Sequence, residues 1–297
     1  MQEAHARFSA AAPGAVSTIY PALARVPADL FGICVAGVDG RLYPVGAADH
    51  PFAIMSVSKP FIFALVCEQI GATSARERIG ANATGYAFNS VAGIERASEG
   101  RTNPMVNAGA IATTSLMQGE DAAQKWRHIQ EGLSRFAGRE LPLNEEVYES
   151  ASGSNSRNRS IAWFLQSVGR LYCDPVEAAD LYTKQCSLDV SARDLAVMGA
   201  TLANGGFNPV TREQVVSPEA CRSALAVMLT AGFYETSGDW LWEIGLPGKS
   251  GISGGIVTVS PGKGGLGTFA PPLDEAGNSV RGQLVARLCR KLPKTGK

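Results

Sequence analysis

Ile54-Met55-Ser56-Val57-Ser58-Lys59-Pro60-Phe61-Ile62 is the stretch from which the rest of this chain is best understood. It places a serine and a lysine three residues apart at the start of an apolar run. Residues at that spacing share one face of a helix, so the lysine amine lies beside the hydroxyl. A hydroxyl is a weak nucleophile at neutral pH and needs a neighbouring base to take its proton. The free N–H groups of a helix N-terminus favour negative charge developing there. Pro60 fits a first helical turn, where its fixed φ is tolerated. Taken alone, Ser-x-x-Lys also occurs by chance at solvated helix ends, so its meaning depends on what accompanies it.

Its companion is Lys249-Ser250-Gly251, within Gly245-Leu246-Pro247-Gly248-Lys249-Ser250-Gly251-Ile252-Ser253-Gly254-Gly255-Ile256-Val257. A Ser-x-x-Lys helix followed by a Lys-[Ser/Thr]-Gly strand resembles the serine acyl-transfer enzymes of the β-lactamase and penicillin-binding class. In that arrangement the strand closes the opposite wall, its lysine adds positive charge and its amides complete an oxyanion hole. A glycine-rich hairpin that merely carries a lysine is the plainer reading of the second motif. The order of the two motifs, one towards each end, argues against it.

Bulk composition narrows the remaining classes. The 297 residues suffice for one large domain, and 45% are hydrophobic, enough for a sizeable core. Lys+Arg and Asp+Glu are 27 each, so no excess charge points to nucleic acid or an anionic membrane. The six cysteines are scattered without a Cys-x-x-Cys pair, and His5, His50 and His128 are dispersed. Buried reduced thiols and no metal site are therefore expected. Met1 to Arg7 lacks a basic region followed by an apolar run, and no apolar segment reaches membrane-spanning length. A cytoplasmic location is the expectation.

Along the chain, Val16 to Leu23 reads as the end of a first helix broken at Pro21. Phe31 to Val38 and Arg41 to Gly46 read as strands joined at Asp39-Gly40, a hairpin signal. The helix after Ser56 is apolar enough to be buried nearly all round. From Ala72 to Thr230 the pattern is mostly helical, with a helix opening at Ile111 and others at Ser160–Val168 and Ala192–Asn204. Ile256–Val259 and Gly264–Phe269 read as strands, and Leu284–Leu292 as a closing helix. Gly264-Gly265-Leu266-Gly267 has no strand-loop-helix context and is not a phosphate loop. The expected fold is α/β and β-lactamase/penicillin-binding-protein-like. An antiparallel sheet from both chain ends (about 1–71 and 235–297) is flanked by helices, with an inserted helical lobe (72–234), all in a single catalytic domain spanning 1–297. A pocket belongs at the seam between the lobes.

Further segments occur in order between the two motifs: Phe88-Asn89-Ser90, Asn103 to Ile111, Arg157 to Ala162, Cys186-Ser187-Leu188, Leu202 to Gly206 and Gly277-Asn278-Ser279. With the Ser56 and Lys249 motifs they closely resemble the serine-dependent glutaminase family over roughly Val16 to Leu292. The resemblance implies a β-lactamase-like fold and hydrolysis of a side-chain carboxamide to a carboxylate and ammonia, without metal or cofactor. It implies that Ser56 is the nucleophile, Lys59 the general base and Tyr234 a proton shuttle. It also implies that Asn107, Asn158 and Tyr182 contact the substrate. Ile252 stands where the family has a valine whose N–H joins that of Ser56 in the oxyanion hole, and Lys249 and Ser250 match the wall. A small-molecule amide is the expected partner, with no nucleic acid or membrane, and a homo-oligomer, dimer or tetramer, is the expected assembly. The residue types agree: asparagine offers a donor and an acceptor to an amide or carboxylate, and a tyrosine near a lysine can relay a proton.

Three positions depart from the family pattern. Ala151 falls where the family places a substrate-binding glutamate, with Glu149 two residues earlier as a possible substitute. Met55 replaces a glutamine, and Ile19-Tyr20 displaces an aromatic hydroxyl by one place. All three affect recognition rather than acyl transfer. Two alternatives to a glutamine amidohydrolase follow: a hydrolase or acyltransferase acting on an amide without a free α-amino group, and a catalytically silent binding protein. Retention of Ser56, Lys59 and Tyr234 together argues against the second.

Overall fold

The computed structural model describes residues 1–10 and 13–291. After helix α1 (Gln2–Phe8), the apolar run becomes strand β1 (Gly32–Gly37), which turns through Asp39-Gly40 into β2 (Leu42–Gly46). Gly40 has φ 84°, and the Asp39 carboxylate accepts the Arg41 N–H at 3.1 Å, so both turn residues serve the reversal. Two-residue β3 (Phe52–Ala53) leads through a helical turn at Met55–Ser58 into α2 (Lys59–Ile70). The central helices are α3 (Ala72–Ile79), α4 (Ala92–Glu95), α5 (Asn107–Ser115), α6 (Ala122–Ala137), α7 (Glu145–Gly153), α8 (Ser156–Ser167) and α9 (Pro175–Cys186). Then follow β4 (Asp189–Val190), α10 (Ala192–Ala203), α11 (Pro218–Ala231), α12 (Ser237–Ile244), β5 (Gly248–Ser250), β6 (Gly255–Ser260), β7 (Gly264–Phe269) and α13 (Val280–Lys291).

The main sheet has the order β2-β1-β7-β6-β5 and is antiparallel throughout, joining the two chain ends as expected. A separate pair, β3 with β4, clips the approach to Ser56 onto the segment after α9. The glycines of β7 explain themselves here. A Cβ on Gly265 would lie 2.3 Å from the Ala196 carbonyl oxygen, and one on Gly267 would lie 2.0 Å from that of Ala192. They let α10 lie directly on the sheet. Helix α10, although it falls within the span expected for the helical lobe, thus covers a face of the sheet. It begins with a reciprocal cap in which Ser191 and Asp194 each accept the other's N–H.

The first two turns of α2 are buried on every side, from Lys59 to Cys67. Its apolar side chains enter the largest core cluster, where Phe61 meets Phe136 edge-on at 5.1 Å. The turn that carries Ser56 therefore runs directly into a helix whose first two turns are wholly buried.

Three boundaries differ from the sequence reading. Val16 to Leu23 is not a helix end. Ala15 exchanges both backbone hydrogen bonds with Leu273, and the only helical turn in this region is Leu23–Arg25. Val16, Thr18 and Ile19 are poor helix formers, and a bridge to the C-terminal loop outweighs what propensity remains. Helix α5 opens at Asn107, so Ile111 sits at its centre. The preceding Val106 is extended, and Gly109 permits contact with the Asn103 carbonyl. Helix α13 starts four residues before Leu284, and its expected end at Leu292 lies outside the described residues.

Candidate active site

The turn that carries Ser56 begins with a left-handed residue. Met55 has φ 47°, unusual for a non-glycine and worth roughly 1–3 kcal/mol of strain. The surrounding bonds hold it: Val57 N–H donates to Ile54 O at 3.1 Å and Ser58 Oγ to Met55 O at 2.8 Å. Gln185 of α9 donates to Ser58 Oγ at 3.1 Å and accepts from Thr114 of α5 at 2.8 Å, tying two helices to the turn. Ser56 is presented at the base of a pocket of about 140 Å³ between the sheet and the helical lobe.

Lys59, one helical turn on, is 1% exposed and meets no carboxylate among the described residues. Its Nζ donates to Asn107 Oδ1 at 2.8 Å and to Met105 O at 3.1 Å, and stands 5.9 Å from the centre of the Tyr182 ring. Neutral oxygens solvate an ammonium poorly compared with water, so burial pushes the Lys59 amine down to about 8. Lys249, fully buried, donates to Ser250 O at 2.6 Å and lies 4.6 Å from the Tyr234 ring centre. Burial and then repulsion by Lys59 hold its amine well below the ordinary lysine range. The two amines share one dry region, so they titrate as a pair that disfavours a double positive charge.

Tyr234 completes the wall. It too is left-handed, at φ 51°, and Ser237 pins it by donating to its carbonyl at 2.8 Å. Its hydroxyl lies against Ser56 and donates to Ser250 O at 3.4 Å. Burial raises both this phenol and that of Tyr182, so each stays protonated at neutral pH. Tyr182 donates to Asn107 Oδ1 at 3.2 Å, and Asn107 Nδ2 donates to Asn158 Oδ1 at 3.0 Å. The result is a continuous polar chain from Lys59 to Asn158 built from α2, α5, α8 and α9.

Of the residues singled out from sequence, Ser56, Asn107, Asn158, Tyr182 and Ile252 line the pocket. Lys59, Tyr234, Lys249 and Ser250 lie behind it, all buried. The three departures from the family pattern, Ile19, Met55 and Ala151, face it together. Glu149 does not replace Ala151. It is exposed, and a residue two places earlier on a helix is rotated by about 200°, away from the pocket. Residues not assigned a role from sequence also line the pocket: Tyr20, Phe88, Asn89, Arg157 and Cys186. All except Tyr20 belong to segments whose order carried the family resemblance. That was the available signal. Among the described residues, no group of three or more His, Cys, Asp or Glu could hold a metal ion, and no helix is long and apolar enough to cross a membrane.

A buried lysine beside a serine at the foot of a pocket, facing the edge strand of an antiparallel sheet, defines a hydrolase of β-lactamase-like fold. Comparison with known proteins sharpens this. The glutaminase family model matches residues 14–294. Glutaminase 2 of Yersinia pestis is 69% identical over 97% of this chain and 84% of its own length. A glutaminase of Mycobacterium ulcerans is 49% identical over 89% of this chain and 82% of its own. Among solved structures, the probable glutaminase ybaS superposes with a TM-score of 0.96 at 44% identity, covering 98% of this chain and 94% of that one. A probable glutaminase from Bacillus subtilis, complexed with 6-diazo-5-oxo-L-norleucine, has a TM-score of 0.86 at 30% identity, covering 97% and 90%. The chain belongs to the glutaminase family and is a hydrolase of glutamine-type side-chain carboxamides.

Proposed function

We propose that carboxamide hydrolysis proceeds here through an acyl-enzyme on Ser56. The neutral Lys59 amine takes the proton as Ser56 Oγ attacks the amide carbon. The oxyanion is received by the backbone N–H groups of Ser56 and Ile252, and the latter donates to no acceptor among the described residues. Tyr234, beside the nucleophile and over the Lys249 amine, passes a proton to the departing ammonia. Water then enters at the same carbon, with the same groups acting in reverse, and releases the carboxylate. Asn107, Asn158 and Tyr182 hold the substrate's polar atoms, and Asn107 also orients Lys59.

One observation carries this reading: a fully buried lysine without a carboxylate partner among the described residues, one helical turn from a serine that opens onto the pocket. A structural lysine is ordinarily paired or exposed, whereas a base must shed its proton near neutrality. The test is intact-protein mass under rapid quench with a panel of carboxamides, with and without an α-amino group. An acyl adduct mapping to Ser56 supports the mechanism. Turnover with every adduct excluded, or an adduct elsewhere, overturns it.

A cytoplasmic, homo-oligomeric enzyme completes the proposal. The six cysteines are all free, in keeping with a reducing compartment. Light scattering on the purified chain tests the assembly.

A further inference from the structure

Arg281 of α13 is the bulkiest fully buried side chain among the described residues, at 2% exposed, and it takes no part in the chemistry above. Its guanidinium lies 5.2 Å from the centre of the Phe31 ring. Its donors go to backbone carbonyls: Nη1 to Ser9 O at 3.5 Å and Asp29 O at 3.4 Å, and Nη2 to Ala28 O. Nε finds no acceptor among the described residues. A cation buried against neutral oxygens costs free energy, which whatever it fastens must offset. A guanidinium is a planar fork with several donors, so one side chain can hold two separate stretches of backbone at once. Here those stretches, Ser9 and Ala28-Asp29, are the two ends of a segment that runs to the pocket. Between them Ala15 exchanges hydrogen bonds with Leu273 at 3.1 and 2.9 Å, and Ile19 and Tyr20 line the pocket. The far side is fastened to α7, where Ser150 Oγ accepts the Ala22 N–H at 3.1 Å and Arg25 pairs with Glu146. Tyr20 packs in one apolar cluster with Met55 and Ile252, which flank the nucleophile turn. Val16 to Ile19 make no backbone–backbone hydrogen bond among the described residues, so these anchors set their course.

We propose that Arg281 is a positioning residue for the substrate pocket. Through the backbone at Ser9 and Ala28-Asp29 it sets the wall that Ile19 and Tyr20 present, and so governs how tightly the substrate is held rather than how fast its bond is broken. The inference rests on the reading of this pocket as the substrate site and is independent of which group attacks the amide.

The test combines steady-state kinetics on L-glutamine, calorimetric binding of L-glutamate, and amide exchange read by mass spectrometry, all on the full chain. Arg281→Met, uncharged and of similar reach, should raise KM and the L-glutamate Kd about tenfold, with kcat within about twofold of the parent. Exchange should quicken in peptides from 13–29 while those from α2 keep their protection. Arg281→Lys keeps the charge but has a single ammonium to share between the two stretches, so its KM is expected about threefold above the parent. A KM unchanged in either variant overturns the proposal. So does a kcat that falls as KM rises while exchange quickens in α2, the mark of a general loss of packing. If Arg281→Met does not fold, Arg281→Lys decides by the same split between KM and kcat. A Ser56→Ala protein that kept its activity would refute the acyl-enzyme and leave this split standing.

Discussion

The Lys59 amine is hydrogen-bonded to the amide oxygen of Asn107, at 2.8 Å, and to no carboxylate among the described residues. This pairing decides the chemistry of the site. A carboxylate there would hold the amine charged, whereas an amide orients it at little electrostatic gain, leaving burial to expel the proton. With the amine at about 8, roughly a tenth of Lys59 is the free base at pH 7.

Activity should therefore fall on acidification, with an acid limb near pH 8 as Lys59 takes up its proton. Asn107→Asp puts an anion in contact with that amine and should raise its affinity for a proton. The limb is expected to move up by about a pH unit or more, and kcat at pH 7 should fall at least about tenfold. A kcat profile for parent and variant checks this. A limb that stays in place in the variant would assign it to another group.

The same burial makes a stability statement. Unfolded Lys59 titrates near 10.5 and folded Lys59 at about 8. Between those values the unfolded chain holds more protons, so this residue favours folding increasingly as pH rises, by up to about 3 kcal/mol. Buried thiols such as Cys34, pushed up to about 11, pull the other way once pH exceeds the ordinary thiol value. The difference between parent and Lys59→Met is thus the quantity to measure. The parent should gain stability relative to the variant across pH 8 to 10.5 in urea titrations, and a pH-independent difference would contradict a buried neutral amine.

Ser56→Ala should abolish turnover and leave the fold intact. Ser56 is 8% exposed at the pocket floor, and α2 is held by core contacts rather than by this side chain. Turnover within about tenfold of the parent would exclude Ser56 as nucleophile.

Sequence showed the strands of the main sheet and a serine and lysine sharing the start of a buried helix, because these rest on local signals: period, Gly/Pro punctuation and a three-residue spacing; the two-residue pair β3–β4 is too short to leave such a signal. The path of Val16 to Leu23 was hidden because its conformation is set by a bridge to Leu273, some 250 residues away. Ile19 and Tyr20 reach the pocket on that path. Residues at Asn107 and Asn158 were legible through family resemblance alone, since nothing local shows that two asparagines from α5 and α8 touch. The burial of Lys249 was equally invisible. A lysine between glycine and serine gives no hint that it is fully covered and packed on a tyrosine ring.

Gly251, just past edge strand β5, tests how closely that segment must approach Ser56. A Cβ at this position would lie 3.0 Å from Val57 Cγ2, 3.2 Å from Ile54 O and 3.5 Å from Ser56 N, so Gly251→Ala presses on the Ser56 turn from the strand side. The neighbours must give by tenths of an ångström, which spreads the N–H groups of Ser56 and Ile252 apart. Kcat is expected to drop about ten- to a hundredfold, with a stability loss of about 1–2 kcal/mol. Gly248→Ala, at the start of β5, is the contrast. Its Cβ would meet Phe233 at 2.8 Å and Trp240 at 2.9 Å, which are core rings stacked at 3.6 Å, so it should cost more stability and less rate. Kcat and urea midpoints for the two variants separate rate from packing. If Gly251→Ala keeps the parent kcat, the Ser56–Ile252 donor pair is not where the oxyanion forms.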